Sequence, residues 1–142
     1  MSDKYFIDTN IFIYAFDQQT PGKNKTANDL IKIALSDHKG CISFQVVQEF
    51  LNVATRKFKV PLSFHDSKKY LENILSPLCE TFTSIDLYNR ALDIMERWQY
   101  SFYDSLIISA AIQANCNILF SEDLQHKQKI QSITILNPFL EE

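Results

Sequence analysis

The 142-residue chain has little glycine (two), proline (four) or cysteine (three), one Trp and two Met. So few glycines and prolines exclude a collagen-like repeat and a flexible linker. Cys41, Cys79 and Cys116 are odd in number and widely spaced, and no two form a Cys-x-x-Cys pair. That usage argues for buried thiols in a reducing compartment over disulfides or a zinc site. No apolar run reaches the roughly 18–20 residues that cross a bilayer, so no membrane partner is expected. The opening residues MSDKYFIDTN lack the apolar stretch of a signal peptide, and the expected location is the cytoplasm. Positive charge is not in excess: 17 Asp and Glu stand against 14 Lys and Arg, a net charge of -3. Bulk charge gives no general reason to expect nucleic acid, although such binding depends on where charges sit.

What is present is ordinary globular chemistry, 46% apolar and 22% charged residues. The length fits one domain over residues 1–142. Short apolar runs at Tyr5–Ile7, Cys41–Ile42, Cys79–Thr83, Asn117–Phe120 and Ser132–Leu136 read as strands. Between them lie helical patterns: Ile11–Phe16, Lys25–Leu35, Phe44–Phe58 with Ser43 as cap, about His65–Leu75 before Pro77, and Ser84–Trp98. Phe102–Ala114 is apolar nearly all round and predicts a buried helix. Thr20–Asn24 reads as a loop, and Asp37–Gly40 as a helix end with the glycine just beyond the cap. Strands alternating with helices predict a three-layer α/β/α fold around a mainly parallel sheet.

Ligands of such sheets bind outside the carboxyl ends of the strands, and four acids fall near predicted strand-to-helix junctions. Asp8 follows Tyr5–Ile7, Asp123 follows Asn117–Phe120, and Asp104 lies in the first turn of the apolar helix. Glu49 sits at the margin of an apolar helical stripe, where a carboxylate needs a partner. Each has a plain structural reading: Asp8 as a helix cap, Asp104 in a capping box with Ser101, Glu49 paired with Arg56 or Lys57, and Asp123 as a loop acid. Caps do not explain acids at three separate junctions on one edge. Clustered carboxylates raise one another's pKa and persist best around a cation. Oxygen ligands without His or Cys favour Mg²⁺ or Mn²⁺, and such a site suits phosphodiester hydrolysis.

FIDTNIFIYAFD (6–17), QVVQEFLNV (45–53), SFYDSLIISAA (101–111) and LFSEDLQH (119–126) resemble the four acidic motifs of PIN-domain ribonucleases, most closely the VapC-type toxins of prokaryotic toxin–antitoxin pairs. The resemblance spans essentially the whole chain, in order. It implies a Mg²⁺- or Mn²⁺-dependent endoribonuclease with Asp8, Glu49, Asp104 and Asp123 as the acidic, metal-holding residues. It further implies that Thr9, Asn10 and Ser121 orient them, with Glu122 an adjacent alternative to Asp123. It implies a cognate antitoxin and a homodimer. Ile11–Phe16 and Lys25–Leu35 are the candidate antitoxin-docking surfaces. Two positions depart from the pattern: Tyr103 stands where relatives commonly carry Trp, and Lys127 where Gly commonly follows the His. Lys127 and Lys129, which follow Asp123, are the stronger candidates for RNA contact. Arg56 and Lys57 read first as a solvated helix end and second as phosphate contacts. Two other classes compete. An aspartyl phosphatase would need Asp at position 10, which is Asn, and a catalytically silent PIN-like adaptor would not need all four acids.

Overall fold

A computed structural model describes residues 3–140. The chain runs β1 (Tyr5–Ile7), α1 (Thr9–Tyr14), α2 (Pro21–Asp37), β2 (Gly40–Ser43), α3 (Phe44–Arg56) and α4 (Phe64–Tyr70). A π-helical turn (Leu71–Leu75) leads into α5 (Ser76–Leu78), then β3 (Cys79–Thr81), α6 (Ile85–Trp98), α7 (Phe102–Gln113), β4 (Ile118–Phe120), β5 (Lys129–Ile130) and β6 (Ile133–Leu136). The strands form one sheet in the order β3-β2-β1-β4-β6-β5. All pairs are parallel except β5 with β6. The predicted α/β fold with a mainly parallel sheet is therefore present, with an antiparallel edge hairpin that the sequence reading did not anticipate.

The central strands β1 and β2 are buried along their whole length because helices cover them, whereas the edge strands β3 and β5 carry exposed residues. Phe6, Ile7, Ile42, Leu119 and Ile135 are wholly inaccessible. Helix α7 packs on α6 and against β2, β3, β4 and β6, while α1 packs on α2 and α3. Ser105 to Ala111 are all buried, as the all-round apolar pattern predicts.

Several boundaries differ for local reasons. Helix α2 begins at Pro21, so Thr20–Asn24 is mostly helix and not loop; proline is preorganised for a first turn. The left-handed residue ending α2 is His38 (φ 59°), not Gly40. Gly40 serves close approach: a Cβ there would lie 2.5 Å from Ala34 Cβ and 2.7 Å from Tyr5 Cε2. Ser43 precedes α3 without capping it through its hydroxyl. The third strand ends at Thr81, and Ser84 caps α6 by accepting from Leu87 N. The helical run from Phe64 continues past Leu75 to Leu78. Pro77 has no N–H for the helical ladder, and the widened turn directly precedes it.

Candidate active site

Strands β2 and β3 extend the sheet on one side of β1, and β4 lies on the other. The chain thus reverses direction across the sheet between β1 and β4, which opens a crevice at their carboxyl ends. Asp8 N donates to Phe120 O at 3.0 Å and locks the two ends together. A cleft of about 320 Å³ lies there, and Asp8, Glu49, Asp104 and Asp123 all line it, with Thr9, Asn10 and Gln45 between them.

Three of the four carboxylates accept hydrogen bonds from their neighbours. Asp8 caps α1, which starts at Thr9 rather than near Ile11; its Oδ1 accepts from Thr9 N at 2.7 Å. Its Oδ2 accepts from Ser121 Oγ at 2.8 Å. Thr9 Oγ1 donates to Glu49 Oε1 at 2.6 Å and Gln45 Nε2 to Oε2 at 3.2 Å, so Glu49 finds partners across the cleft and along its own helix. Asn10 Nδ2 donates to Asp123 Oδ2 at 2.5 Å. Asp104 sits in the first turn of α7, whose cap Ser101 accepts from Asp104 N at 3.2 Å. The cap reading and the cleft position of Asp8 and Asp104 are compatible: backbone partners fix the helix start while the acid faces the cleft.

The electrostatics follow. Burial pushes the Asp8 carboxyl up to about 6, with the charges of Glu49 and Asp123 adding to it and the bonds from Ser121 and Thr9 opposing. Asp123 is also raised, first by burial and then by Glu122 and Asp104, with Asn10 opposing. Glu122 turns elsewhere: it accepts from Tyr14 Oη at 2.7 Å and from Lys23 Nζ at 2.5 Å. Burial pushes its carboxyl up, but those bonds outweigh burial and hold it below the usual range. Of the adjacent acids, Asp123 is therefore the one at the cleft.

Of the four candidate cations, Lys57 lines the cleft, whereas Arg56, Lys127 and Lys129 do not. This reverses the order expected from the sequence, in which Lys127 and Lys129 stand first. Asn52, Val53 and Gln45 also line the cleft, and their spacing of +3, +4 and -4 from Glu49 on one helix is the signal that places them there. The two candidate docking surfaces each turn one face inward and one outward. Ile11 and Phe12 are inaccessible, and Ala27, Ile31 and Ala34 are buried. Of these apolar side chains, Phe16 and Ile33 are the large exposed ones.

The family model of the PIN domain matches residues 5–130. The chain belongs to the PIN domain family. Comparison with curated proteins gives no match. Among solved structures, this PIN domain is similar to a toxin–antitoxin complex from Klebsiella pneumoniae (TM-score 0.66, 16% identity, 94% of this chain and 97% of that one). It is similar to VapBC2 from Rickettsia felis, bound there to a promoter DNA fragment (0.63, 19%, 92% and 96%). It is also similar to Mycobacterium tuberculosis VapC20, a sarcin–ricin-loop-cleaving toxin (0.55, 14%, 84% and 89%). At these identities the likeness is one of fold.

The donor set can be tested against a cation. Among the described residues, no three His, Cys, Asp or Glu side chains converge closely enough to hold an ion by themselves. Mg²⁺ does not require such a cage: it keeps several waters and is held through one or two carboxylates plus substrate phosphate. The cleft offers carboxylate oxygens, is lined by neither His nor Cys, and destabilises its own ionised Asp8. That chemistry fits a hard, hydrated divalent cation such as Mg²⁺ or Mn²⁺ and not Zn²⁺. No described helix is long and apolar enough to cross a membrane.

Proposed function

We propose that this PIN domain is a Mg²⁺- or Mn²⁺-dependent endoribonuclease and the toxin of a toxin–antitoxin pair. The observation that carries the reading is the gathering of Asp8, Glu49, Asp104 and Asp123, from four separate segments, around one cleft at the switch point of the sheet. Capping of α1 by Asp8 does not require three further carboxylates around the same cleft, and each of them raises the advantage of bound positive charge. When bound, a divalent cation neutralises charge on a scissile phosphate and acidifies an attacking water. Asp8, Glu49, Asp104 and Asp123 would hold it, directly or through water. Thr9, Asn10 and Ser121 fix the carboxylate rotamers by donating to them, and Lys57 at the rim offers a phosphate contact. The toxin role rests on the toxin–antitoxin neighbours. It carries with it an antitoxin partner and a homodimer. The exposed Phe82, Ile85, Leu92 and Met95 supply apolar surface for an interface.

The first test is calorimetric titration of the chelator-stripped protein with Mn²⁺, beside Asp104→Asn checked for folding by circular dichroism. Binding by the wild type and much weaker binding by the folded variant is the expected result, followed by Mn²⁺-dependent cleavage of an RNA pool. Equal, negligible binding by both would sink the metal-dependent reading and favour a silent RNA- or protein-binding adaptor.

A further inference from the structure

Glu122, next to Asp123 in sequence, is tied away from the cleft to a cluster that the proposed chemistry does not use. Lys23, in the first turn of α2, places Nζ 2.5 Å from Glu122 Oε2 and 3.3 Å from Tyr14 Oη. Tyr14, at the end of α1, donates to the other Glu122 oxygen at 2.7 Å. The ammonium lies 4.7 Å from the centre of the Tyr14 ring and 5.5 Å from that of Phe139. Those two rings meet edge to face at 5.0 Å. The Lys23 and Glu122 side chains are 38% and 21% exposed. The pair is thus partly withdrawn from water between two rings, where a charge pair is stronger than on an open surface. The foundation is firm, because Asn24 and Asn28, further along α2, donate to the carbonyl of Ala15, and Asn24 also to that of Tyr14. The segment after β4 is consequently held on both sides of Asp123's neighbour: Ser121 bonds Asp8, Glu122 bonds Lys23 and Tyr14, and Asp123 bonds Asn10.

We propose that Lys23 is a positioning residue: through Glu122 and Tyr14 it clamps the segment after β4 so that Asp123 faces the cleft. The inference rests on the metal-dependent reading above. Its signature is a sign that electrostatics alone would give the other way. Removing the Lys23 charge leaves Glu122 uncompensated beside the carboxylates, which by Coulomb attraction tightens cation binding. A positioning role loosens it, because Asp123 is freed to move.

The test measures Mn²⁺ affinity by calorimetry and amide exchange over 121–124 for the wild type, Lys23→Met, Lys23→Arg and Lys25→Met. Met keeps an apolar stem between the two rings, Arg restores the ion pair, and Lys25 pairs with Asp29 within α2 as a control. The expected result is Mn²⁺ affinity about threefold or more weaker in Lys23→Met, with faster exchange at 121–124. Lys23→Arg and Lys25→Met should stay near wild type. Equal or tighter Mn²⁺ binding by Lys23→Met, against a wild type that binds, overturns the proposal. A wild type that takes up no Mn²⁺ overturns the metal reading instead. Amide exchange then judges the clamp by itself: faster exchange in Lys23→Met supports it, and unchanged exchange overturns it.

Discussion

Asp8→Asn should stabilise the metal-free protein at neutral pH. The Asp8 carboxyl is raised from 3.8 to about 6, chiefly by burial and further by Glu49 and Asp123. The folded state therefore keeps a proton on Asp8 where the unfolded chain has released it. Stability from this group is fully present below about pH 4 and is lost as pH rises through about 6. At ~1.4 kcal/mol per pH unit, the ionised carboxylate costs the fold about 3 kcal/mol at pH 7.5. Asn keeps an acceptor for Thr9 N but turns a donor toward Ser121, whose hydroxyl must rotate, at about 1 kcal/mol. The net expectation is about 2 kcal/mol of stabilisation at pH 7.5, roughly 6 °C in Tm for a chain of this size. At pH 4.5 the advantage should vanish. The assay is thermal and urea unfolding of both proteins in chelator at the two pH values. A variant less stable than wild type at pH 7.5, or a difference that does not change with pH, would refute the reasoning. Adding Mn²⁺ at pH 7.5 should then raise the wild type more than the variant, because ligand binding to the folded state is itself stabilising.

The two glycines should respond oppositely to alanine. Gly40→Ala forces a Cβ against Ala34 and Tyr5 and should cost about 1–3 kcal/mol in urea unfolding. Gly22→Ala meets nothing within 4 Å in helix α2 and should gain about 0.5 kcal/mol. Gln131, exposed in the two-residue turn between β5 and β6, has φ 53°, so Gln131→Gly should raise the melting midpoint by removing about 1 kcal/mol of left-handed strain. Lys57→Gln should weaken single-stranded RNA binding measured by anisotropy in chelator and reduce the salt slope by about 0.7, the contribution of one phosphate contact. An unchanged slope would remove Lys57 from the RNA path.

Legibility of the site depended on what each residue's role required. Asp8, Asp104 and Asp123 could be read because each follows a strand or begins a helix, and Glu49 because a carboxylate at the margin of an apolar helical stripe needs a partner; both are local properties. Thr9, Asn10 and Ser121 could be read only through the motifs they share. Their actual partners, Glu49, Asp123 and Asp8, lie 40 or 113 residues away, and no local pattern encodes that pairing. Lys23 falls in the stretch Thr20–Asn24 that the sequence predicts as a loop. Its role depends on α2 starting at Pro21 and on Glu122 returning from 99 residues downstream. Lys57 was read as a solvated helix end because helix-end charge is the commoner arrangement. Its place at the rim is set by how α3 crosses α1.

The sequence by itself determined the α/β alternation, the buried character of α7, the lack of an apolar run of bilayer length and the identity of the acids, because these follow from periodicity, run length and side-chain chemistry over a few residues. Tertiary structure alone decided that β1 and β4 lie side by side, which makes the switch point and hence the cleft. It also decided which of Glu122 and Asp123 faces that cleft, and that Asp8 is half-buried among like charges. Strand order and burial are set by contacts between residues far apart in the chain, and only the folded arrangement brings those residues within a few ångströms of one another.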